Sequence, residues 1–187
     1  MSRPVVQVIV ASTRPGRVGE PTARWIAERA EKHGAFEVDI VDLAEVDLPM
    51  FAEPNHPRLG RYTLQTTKDF SALIDRADGF VLVFPEYNHS YNAALKNALD
   101  HLNREWAGKP VGMVSYGGVA AGSRAAVALE TVLVALQMRI IGSVPIPFIA
   151  QFVHDDEDGG RTFQPNEQVE AGTDGMLDAL AESLNRS

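Results

Sequence analysis

The chain has 187 residues, a net charge of -8 and a hydrophobic fraction of 45%, and it contains no cysteine. These values predict one domain over residues 1–187 and exclude disulfides, zinc–thiolate sites and thiol nucleophiles. The acidic balance argues against a nucleic-acid partner, and no apolar run approaches the roughly 20 residues of a membrane span. The first apolar run is also too short for a signal peptide, so we expect a cytoplasmic protein.

Short apolar runs alternate with amphipathic stretches, which is typical of repeated βα units on a parallel sheet. Long loops are expected at 48–61 and 148–165. Five strands fit the order 2-1-3-4-5 or 3-2-1-4-5, and in either order a ligand binds outside the carboxyl ends of the strands. The predicted elements are strand 5–11, helix 21–33, strand 36–41, helix 66–76, strand 79–85, helix 92–103, strand 111–115, helix 123–138, strand 139–144 and a last helix with Thr173, Leu177, Leu180 and Leu184 on one face.

The first of three unusual loops follows the first predicted strand and reads Ser12-Thr13-Arg14-Pro15-Gly16-Arg17-Val18-Gly19. A strand that leads through small residues into a helix gathers backbone N–H groups and the positive helix end around one point. Hydroxyl and guanidinium groups add donors for an anion. The loop lacks the dinucleotide and nucleoside-triphosphate patterns, so a single terminal phosphate is the favoured ligand. An ordinary strand–helix turn with surface arginines is the alternative.

The second loop reads Phe84-Pro85-Glu86-Tyr87-Asn88-His89-Ser90-Tyr91-Asn92 and follows the third predicted strand. Pro85 is expected to end that strand, because proline cannot donate to a ladder. Tyr87 and Tyr91 offer flat faces with polar tips, and Asn88 offers a donor and an acceptor, which suits a planar heteroaromatic ring. The alternative is a turn whose tyrosines pack on neighbouring helices or on a second subunit.

The third loop reads Ser115-Tyr116-Gly117-Gly118-Val119-Ala120-Ala121-Gly122-Ser123 and follows the fourth predicted strand. Its glycines are expected to leave N–H groups open for a negatively charged ring edge, and Ser123 is expected to cap the next helix. A glycine-rich turn that serves only close packing is the alternative. Together, a phosphate site, an aromatic surface and a donor loop at one sheet edge describe a site for FMN.

Other kinds of site find little support in the sequence. The acidic run 155–158 lacks the alternating ligands and closing glutamate of a calcium loop, so a solvated turn is predicted. Neither Ser12 nor Ser115 has an evident histidine–carboxylate partner for hydrolase chemistry. His101 is expected to pack in the interior or lie on the surface, and only His89 falls near the proposed site. We expect no metal site, because the five histidines show no metal-ligand spacing: His33, His56, His89, His101 and His154.

The three loops resemble those of the NADPH-dependent FMN reductase family, which includes quinone, azo-dye and chromate reductases. The similarity spans residues 5–145 and rests on the first loop, on Pro85-Glu86-Tyr87-Asn88-His89-Ser90 with Leu95-Lys96-Asn97-Ala98-Leu99-Asp100, and on Ser115-Tyr116-Gly117-Gly118. The resemblance implies an α/β flavodoxin-like three-layer sandwich, with a five-stranded parallel sheet in the order 2-1-3-4-5 and helices on both faces.

The resemblance also implies a role for each loop. Ser12, Arg14 and the backbone near Gly19 would hold the FMN phosphate, residues 85–88 would line the isoalloxazine, and residues 115–118 would meet its pyrimidine edge. The implied cofactor-binding residues are Ser12, Thr13, Arg14, Arg17, Val18, Gly19, Pro85, Glu86, Tyr87, Asn88, Ser115, Tyr116, Gly117 and Gly118.

The implied activity is the transfer of hydride from NADPH or NADH, through bound FMN, to a quinone, azo compound, flavin or similar small-molecule acceptor. No catalytic residue is dedicated to this chemistry, because the cofactor carries it. Tyr87, His89 and Tyr91 are expected near the open face of the ring. A homodimer or homotetramer is implied as well, with the helix from Asn92 and the loop after Leu48 as interface candidates.

Two functions of other classes stay open from the sequence alone. One is a flavodoxin-type electron carrier without its own NAD(P)H turnover, which the acidic composition suits and the arginines of the first loop do not. The other is a sensor or scaffold that uses FMN as a structural ligand.

Overall fold

The computed structural model describes residues 3–186, and its regular elements alternate along the chain as the sequence predicts. Met1, Ser2 and Ser187 lie outside the described residues, so the ends of the predicted domain 1–187 are not described. The strands are β1 (Val5–Val10), β2 (Glu37–Asp42), β3 (Gly79–Tyr87), β4 (Ser90–Tyr91), β5 (Pro110–Tyr116), β6 (Arg139–Ile146), β7 (Val153–Asp155) and β8 (Arg161–Phe163). The α-helices are α1 (Gly19–His33), α2 (Leu43–Val46), α3 (Gln65–Asp75), α4 (Ala93–His101), α5 (Ser123–Ala135) and α6 (Glu167–Asn185).

The central sheet has the order β2-β1-β3-β5-β6, and all four pairings between these strands are parallel. Counting only these five strands, the order is 2-1-3-4-5, so the predicted flavodoxin-like order is confirmed and 3-2-1-4-5 is excluded. The winding reverses between β1 and β3, and the crevice at their carboxyl ends is the usual ligand position in such a sheet.

Helices cover both faces of the sheet, which explains why its central strands are almost continuously apolar. On one face α1 and α6 pack on the sheet through residues such as Ile26 and Leu177. On the other face α3, α4 and α5 pack through residues such as Phe70, Leu99 and Leu129. None of the helices within residues 3–186 is both long and apolar enough to cross a membrane.

Strand β3 does not end at Pro85, as its proline predicts, but continues to Tyr87. The Val83 carbonyl accepts from the Ala11 N–H at 3.0 Å, so the backbone groups of Pro85, two residues on, also face the β1 side. The β1–β3 ladder has ended there, since its last registered pair is Val10 with Val83. The missing N–H of Pro85 therefore removes no ladder bond, and the strand continues beside β5.

The short elements α2 and β4 were not predicted, and further differences lie in the last third of the chain. Helix α5 ends at Ala135 and not at Met138, because Gln137 adopts a left-handed backbone with φ 61°. Helix α6 begins at Glu167, where the Asn166 side chain accepts from the Val169 N–H at 3.0 Å. The predicted loop 148–165 contains a 3-10 turn, Ile149–Phe152, and the antiparallel hairpin β7–β8. The loop 48–61 is confirmed as irregular, apart from a 3-10 turn at Pro57–Leu59.

Candidate functional site

The three loops singled out in the sequence meet at the carboxyl edge of the sheet. The Ser12 hydroxyl of the first loop lies 3.3 Å from the Tyr87 hydroxyl of the second. The Tyr116 ring of the third loop lies against Gly19, at the start of α1. The structure thus brings the expected phosphate, ring and donor segments to one place.

The first loop presents uncapped backbone donors at the start of α1. Its turn is closed by the Arg17 N–H, which donates to the Arg14 carbonyl at 3.2 Å, and Gly16 takes a left-handed φ of 68°. Val18 is the N-cap residue, and within residues 3–186 its side chain makes no capping hydrogen bond to the N–H groups of the first helical turn. Such groups, at the positive end of a helix, are a common anion-binding arrangement.

A small cavity of about 150 Å³ lies inside the first loop, where a phosphate and the adjoining chain of a flavin could be accommodated. The Tyr116 hydroxyl is buried here, with the residue 4% exposed, and it has no hydrogen-bond partner within residues 3–186. Burial raises the pKa of Tyr116, so this hydroxyl stays protonated and can donate at any physiological pH. The cavity is lined by Ser12, Arg14, Gly16, Arg17, Val18, Pro85, Tyr87 and Tyr116.

The two arginines of the first loop differ in their environment. The Arg17 guanidinium forms an ion pair with Asp42 at the end of β2, and Asp42 also accepts from the Ala44 N–H at 3.0 Å and so caps α2. The Arg14 side chain is exposed and makes neither a hydrogen bond nor an ion pair with another residue of the described chain. The whole Arg14 guanidinium is therefore free to meet an anion, whereas Arg17 ties the loop to β2 and has only its buried Nε without a partner among the described residues. The sequence did not indicate Asp42 as a partner.

The second loop is a tight hairpin between β3 and β4. Asn88 and His89 both have left-handed backbones, with φ values of 50° and 67°, as a two-residue type I′ turn requires. Both are exposed, while Tyr87 and Tyr91 are half-buried. Asn92, which sequence reasoning left out of the site, donates from its side-chain amide to the Ala11 carbonyl at 2.7 Å and fixes the hairpin to the end of β1.

The Glu86 carboxylate points toward α5. Its Oε1 accepts from Arg124 Nε at 2.6 Å, and its Oε2 accepts from the Arg124 backbone N–H at 3.3 Å. The hydrogen bonds from the Arg124 side chain lower the pKa of Glu86, which stays ionised. The pair joins the second loop to the start of the helix after the third loop. Arg124 carries no local sequence signal, because its partner is 38 residues away.

The third loop offers fewer open donors than expected. The Gly117 N–H donates to the Ile146 carbonyl at 3.3 Å, and the buried Ser115 hydroxyl donates to the Ala121 carbonyl at 3.0 Å. Among the described residues only the Gly118 N–H of this glycine pair has no partner, and Gly118 is exposed. The N-cap of α5 is Gly122 and not Ser123, because the chain enters the helix through a left-handed residue, with φ 76°, that packs on Ser115 and Tyr116.

The other side chains considered in the sequence lie away from the three loops. No group of three or more potential metal-ligating side chains is found within residues 3–186, so the described part of the chain shows no candidate metal site. His101 is fully buried, and its ring contacts Phe51 and Phe70 edge-on. The acidic residues 155–158 lie in the exposed turn of the β7–β8 hairpin.

Comparison with known proteins adds independent findings. The model of a family described as NADPH-dependent FMN reductase matches residues 4–151. An NAD(P)H-dependent FMN reductase of Schizosaccharomyces pombe is 42% identical over 144 residues, covering 76% of this chain and 72% of that protein. An FMN-dependent NADPH-azoreductase of Staphylococcus saprophyticus is 36% identical over 115 residues, 59% of each chain.

The fold has a solved counterpart as well. FerB, a flavoenzyme NAD(P)H:(acceptor) oxidoreductase from Paracoccus denitrificans, aligns over 98% of both chains with a TM-score of 0.74 and 23% sequence identity. The family match includes all three loops and ends before β7.

Proposed function

Because the chain belongs to the NADPH-dependent FMN reductase family, it is an FMN-dependent NAD(P)H oxidoreductase, and we propose that its three loops hold the FMN. Family membership confirms the predicted cofactor and co-substrate.

The FMN phosphate would bind in the small cavity inside the first loop. The observation that carries this assignment is the buried Tyr116 hydroxyl without a partner. Leaving such a group unsatisfied costs about 1–3 kcal/mol, and a phosphate oxygen in the cavity would remove that cost. Ser12, Arg14 and the N–H groups of Val18 and Gly19 supply further donors, so an anion there meets charge as well as hydrogen bonds.

The isoalloxazine would extend from that phosphate along residues 85–88. Thr13 does not line the small cavity inside the first loop but a separate one beside Leu43 and Ala44. Tyr87 lies at the junction, because its hydroxyl already contacts Ser12. The Gly118 N–H is the donor that the third loop can offer to the pyrimidine edge, whereas Gly117 contributes close packing. The Glu86–Arg124 ion pair fixes the separation between the second and third loops.

The hydride chemistry is supplied by FMN when it is bound. The chain's own residues bind and orient the flavin, and none of them needs to act as a dedicated acid or base. Small-molecule acceptors would enter from the side of the exposed His89 and half-buried Tyr91. We propose flat acceptors such as quinones and azo compounds, the second class being the substrate named for the staphylococcal relative.

We also propose a homo-oligomer, with a second copy covering the outer face of α5. Val127 and Val134 are 65% and 66% exposed and lie two helical turns apart on one face. Met50, in the predicted interface loop, is 78% exposed. Helix α4, the other interface candidate, turns Leu95 and Leu99 inward, so its apolar surface is mostly used within the chain. The cytoplasmic location belongs to the same proposal, because NAD(P)H is supplied there.

A flavin titration followed by a turnover assay tests the proposal. The protein should bind FMN with about one molecule per chain, and with FMN bound it should oxidise NADPH or NADH over many turnovers when a quinone, an azo dye or free flavin is present to accept the hydride. Binding of FMN without NAD(P)H oxidation would instead indicate an electron carrier or a structural role for the flavin.

A further inference from the structure

The β7–β8 hairpin lies beyond the family match and is fixed against α1. Phe163 is buried, and its ring meets the Trp25 ring of α1 edge-on at 5.6 Å and the Phe152 ring at 6.2 Å. Alternate residues of a strand face the same side, so Arg161 points toward the same side as Phe163 and Thr162 points away. The hairpin therefore aims the Arg161 side chain at the segment that precedes α1.

Arg161 binds two consecutive carbonyls of the first loop. Its Nη1 donates to the Gly16 carbonyl at 3.1 Å, and its Nη2 donates to the Arg17 carbonyl at 2.7 Å. The planar guanidinium presents two N–H groups at a fixed spacing, which lysine cannot do. The residue thus fixes the orientation of two neighbouring peptide groups.

The orientation of these two peptide groups determines the direction in which the N–H groups of the first loop point. In a trans peptide the carbonyl and the following N–H point in opposite directions. Since Arg161 holds the Arg17 carbonyl on the outer side, the Val18 N–H points to the inner side. Two cavities mark these sides: Arg161 lines an outer one of about 490 Å³, and Val18 lines the inner one of about 150 Å³.

The contact also makes the inner side more favourable for an anion. A guanidinium bonded to a peptide carbonyl polarises that peptide and strengthens its N–H as a donor. The Arg17 guanidinium does not polarise this peptide, because it is paired with Asp42. Arg161 acts from outside the cavity and leaves the inner side free.

We propose that Arg161 is a positioning residue that holds the first loop in its phosphate-binding conformation, and that the β7–β8 hairpin thereby sets the preference for FMN over unphosphorylated flavin. This inference rests on the proposed function, since it assumes that the inner cavity takes the FMN phosphate. Arg161 itself does not touch the flavin.

The test compares FMN with riboflavin, which lacks the phosphate. Dissociation constants for both are measured by fluorescence titration of the flavin-free native protein and of Arg161→Gln, Arg161→Lys and Thr162→Ala. Thr162→Ala is the matched control, because it removes a hydrogen bond to Asp156 within the hairpin and leaves Arg161 in place. Hydrogen exchange of residues 14–19 in the flavin-free proteins reports on the loop without any flavin.

Arg161→Gln should weaken FMN binding about tenfold, equivalent to about 1.4 kcal/mol, leave riboflavin binding unchanged and speed exchange in residues 14–19. Arg161→Lys keeps the charge and should show a smaller loss of the same kind, so the proposal stays testable even if Arg161→Gln fails to fold. Native behaviour of both variants would overturn the role of Arg161 while leaving the proposed function intact. A native protein that binds FMN no better than riboflavin would overturn the phosphate site and with it this inference.

Discussion

The Tyr116 hydroxyl lies so close to Gly19 that a Cβ at position 19 would overlap it. Gly19 is the first residue of α1 and does not need glycine for its backbone conformation, so the requirement comes from this contact alone. The contact places the buried Tyr116 hydroxyl, which lacks a partner among the described residues, beside the N–H groups of the first loop.

Gly19→Ala should therefore destabilise the flavin-free protein by about 1–3 kcal/mol, the usual cost of overpacking. Adding Tyr116→Phe removes the overlapping oxygen, so the double variant should be more stable than the sum of the two single effects by at least about 0.5 kcal/mol. Urea unfolding of the four proteins measures the coupling. Gly118→Ala, where a Cβ meets open space, is the control. Strict additivity would show that the contact does not limit position 19.

Tyr116→Phe by itself should have opposite effects on stability and binding. The free energy of unfolding of the flavin-free protein should stay the same or rise by up to about 1 kcal/mol, because a buried donor without a partner is removed. FMN affinity should fall about tenfold while riboflavin affinity is unchanged, since only the phosphate would use the hydroxyl.

Tyr62→Phe is the matched control for that substitution. The Tyr62 hydroxyl donates to the buried Glu105 carboxylate at 2.9 Å, so its removal should lower stability and leave flavin binding unchanged. If Tyr116→Phe behaved like Tyr62→Phe, the hydroxyl of Tyr116 would have a structural partner and no role toward the phosphate.

Arg14→Ala should weaken FMN retention and spare turnover. The side chain is free to meet a phosphate, and a charge-assisted hydrogen bond of this kind contributes about 1.5–3 kcal/mol, so the FMN dissociation constant should rise more than tenfold. At saturating FMN the rate of NAD(P)H oxidation should remain close to native. Arg76→Ala, whose guanidinium pairs with Asp39 away from the three loops, should change neither quantity. A rate that saturating FMN does not restore would place Arg14 in the reacting centre.

Much of this site could be predicted because its signals are local. The first loop shows its arginines and glycines within eight consecutive residues, and the apolar runs before each loop predict the strands that bring the loops together. The order of the sheet could not be derived from the residues alone. Both candidate orders place β1 beside β2, and they differ in whether the third predicted strand pairs with β1 or with β2.

The missed features depend on contacts that are distant in sequence. Arg161 lies 145 and 144 residues from the carbonyls that it binds, on a strand of three residues that has no periodicity to detect. The open N–H groups expected at Gly117 and Gly118 were half right, because Ile146, at the end of the neighbouring strand, accepts one of them. The glycines in the sequence predict a loop with open N–H groups, but the position of the neighbouring strand β6 determines which of these N–H groups stay free.

Glu53 should give the protein an acid-dependent stability. Burial opposes ionisation, but hydrogen bonds from the backbone N–H groups of Thr63 and Leu64 and from the Thr63 hydroxyl outweigh it and lower the pKa of Glu53 from 4.5 to about 2. A carboxyl whose folded pKa is lowered stabilises the fold above its unfolded pKa, so this contribution should be complete above about pH 5 and lost as the pH falls from 4.5 toward 2.

Urea unfolding between pH 7 and pH 3 measures how much stability the Glu53 carboxylate contributes at each pH. Glu53→Gln should lower stability at pH 7 by about 1 kcal/mol, the order of the difference between a charge-assisted and a neutral hydrogen bond. Its loss of stability on acidification should be smaller than that of the native protein. Glu157→Gln, at the exposed hairpin turn, is the control and should follow the native curve. Parallel curves for native protein and Glu53→Gln would rule out a role for this carboxylate in acid unfolding.

The outer face of α5 should hold the proposed oligomer together. Val127 and Val134 present about two turns of exposed apolar surface, and a charge placed there would have to be desolvated in an interface. Val127→Lys with Val134→Lys should therefore convert the native oligomer to monomers at micromolar concentration, as measured by sedimentation velocity, while the free energy of unfolding of the chain changes little. Ile40→Lys, at an exposed apolar residue on β2 at the opposite edge of the sheet, is the control and should keep the native state of assembly. A native protein that sediments as a monomer, or a double variant that assembles normally, would show that this face is not the interface.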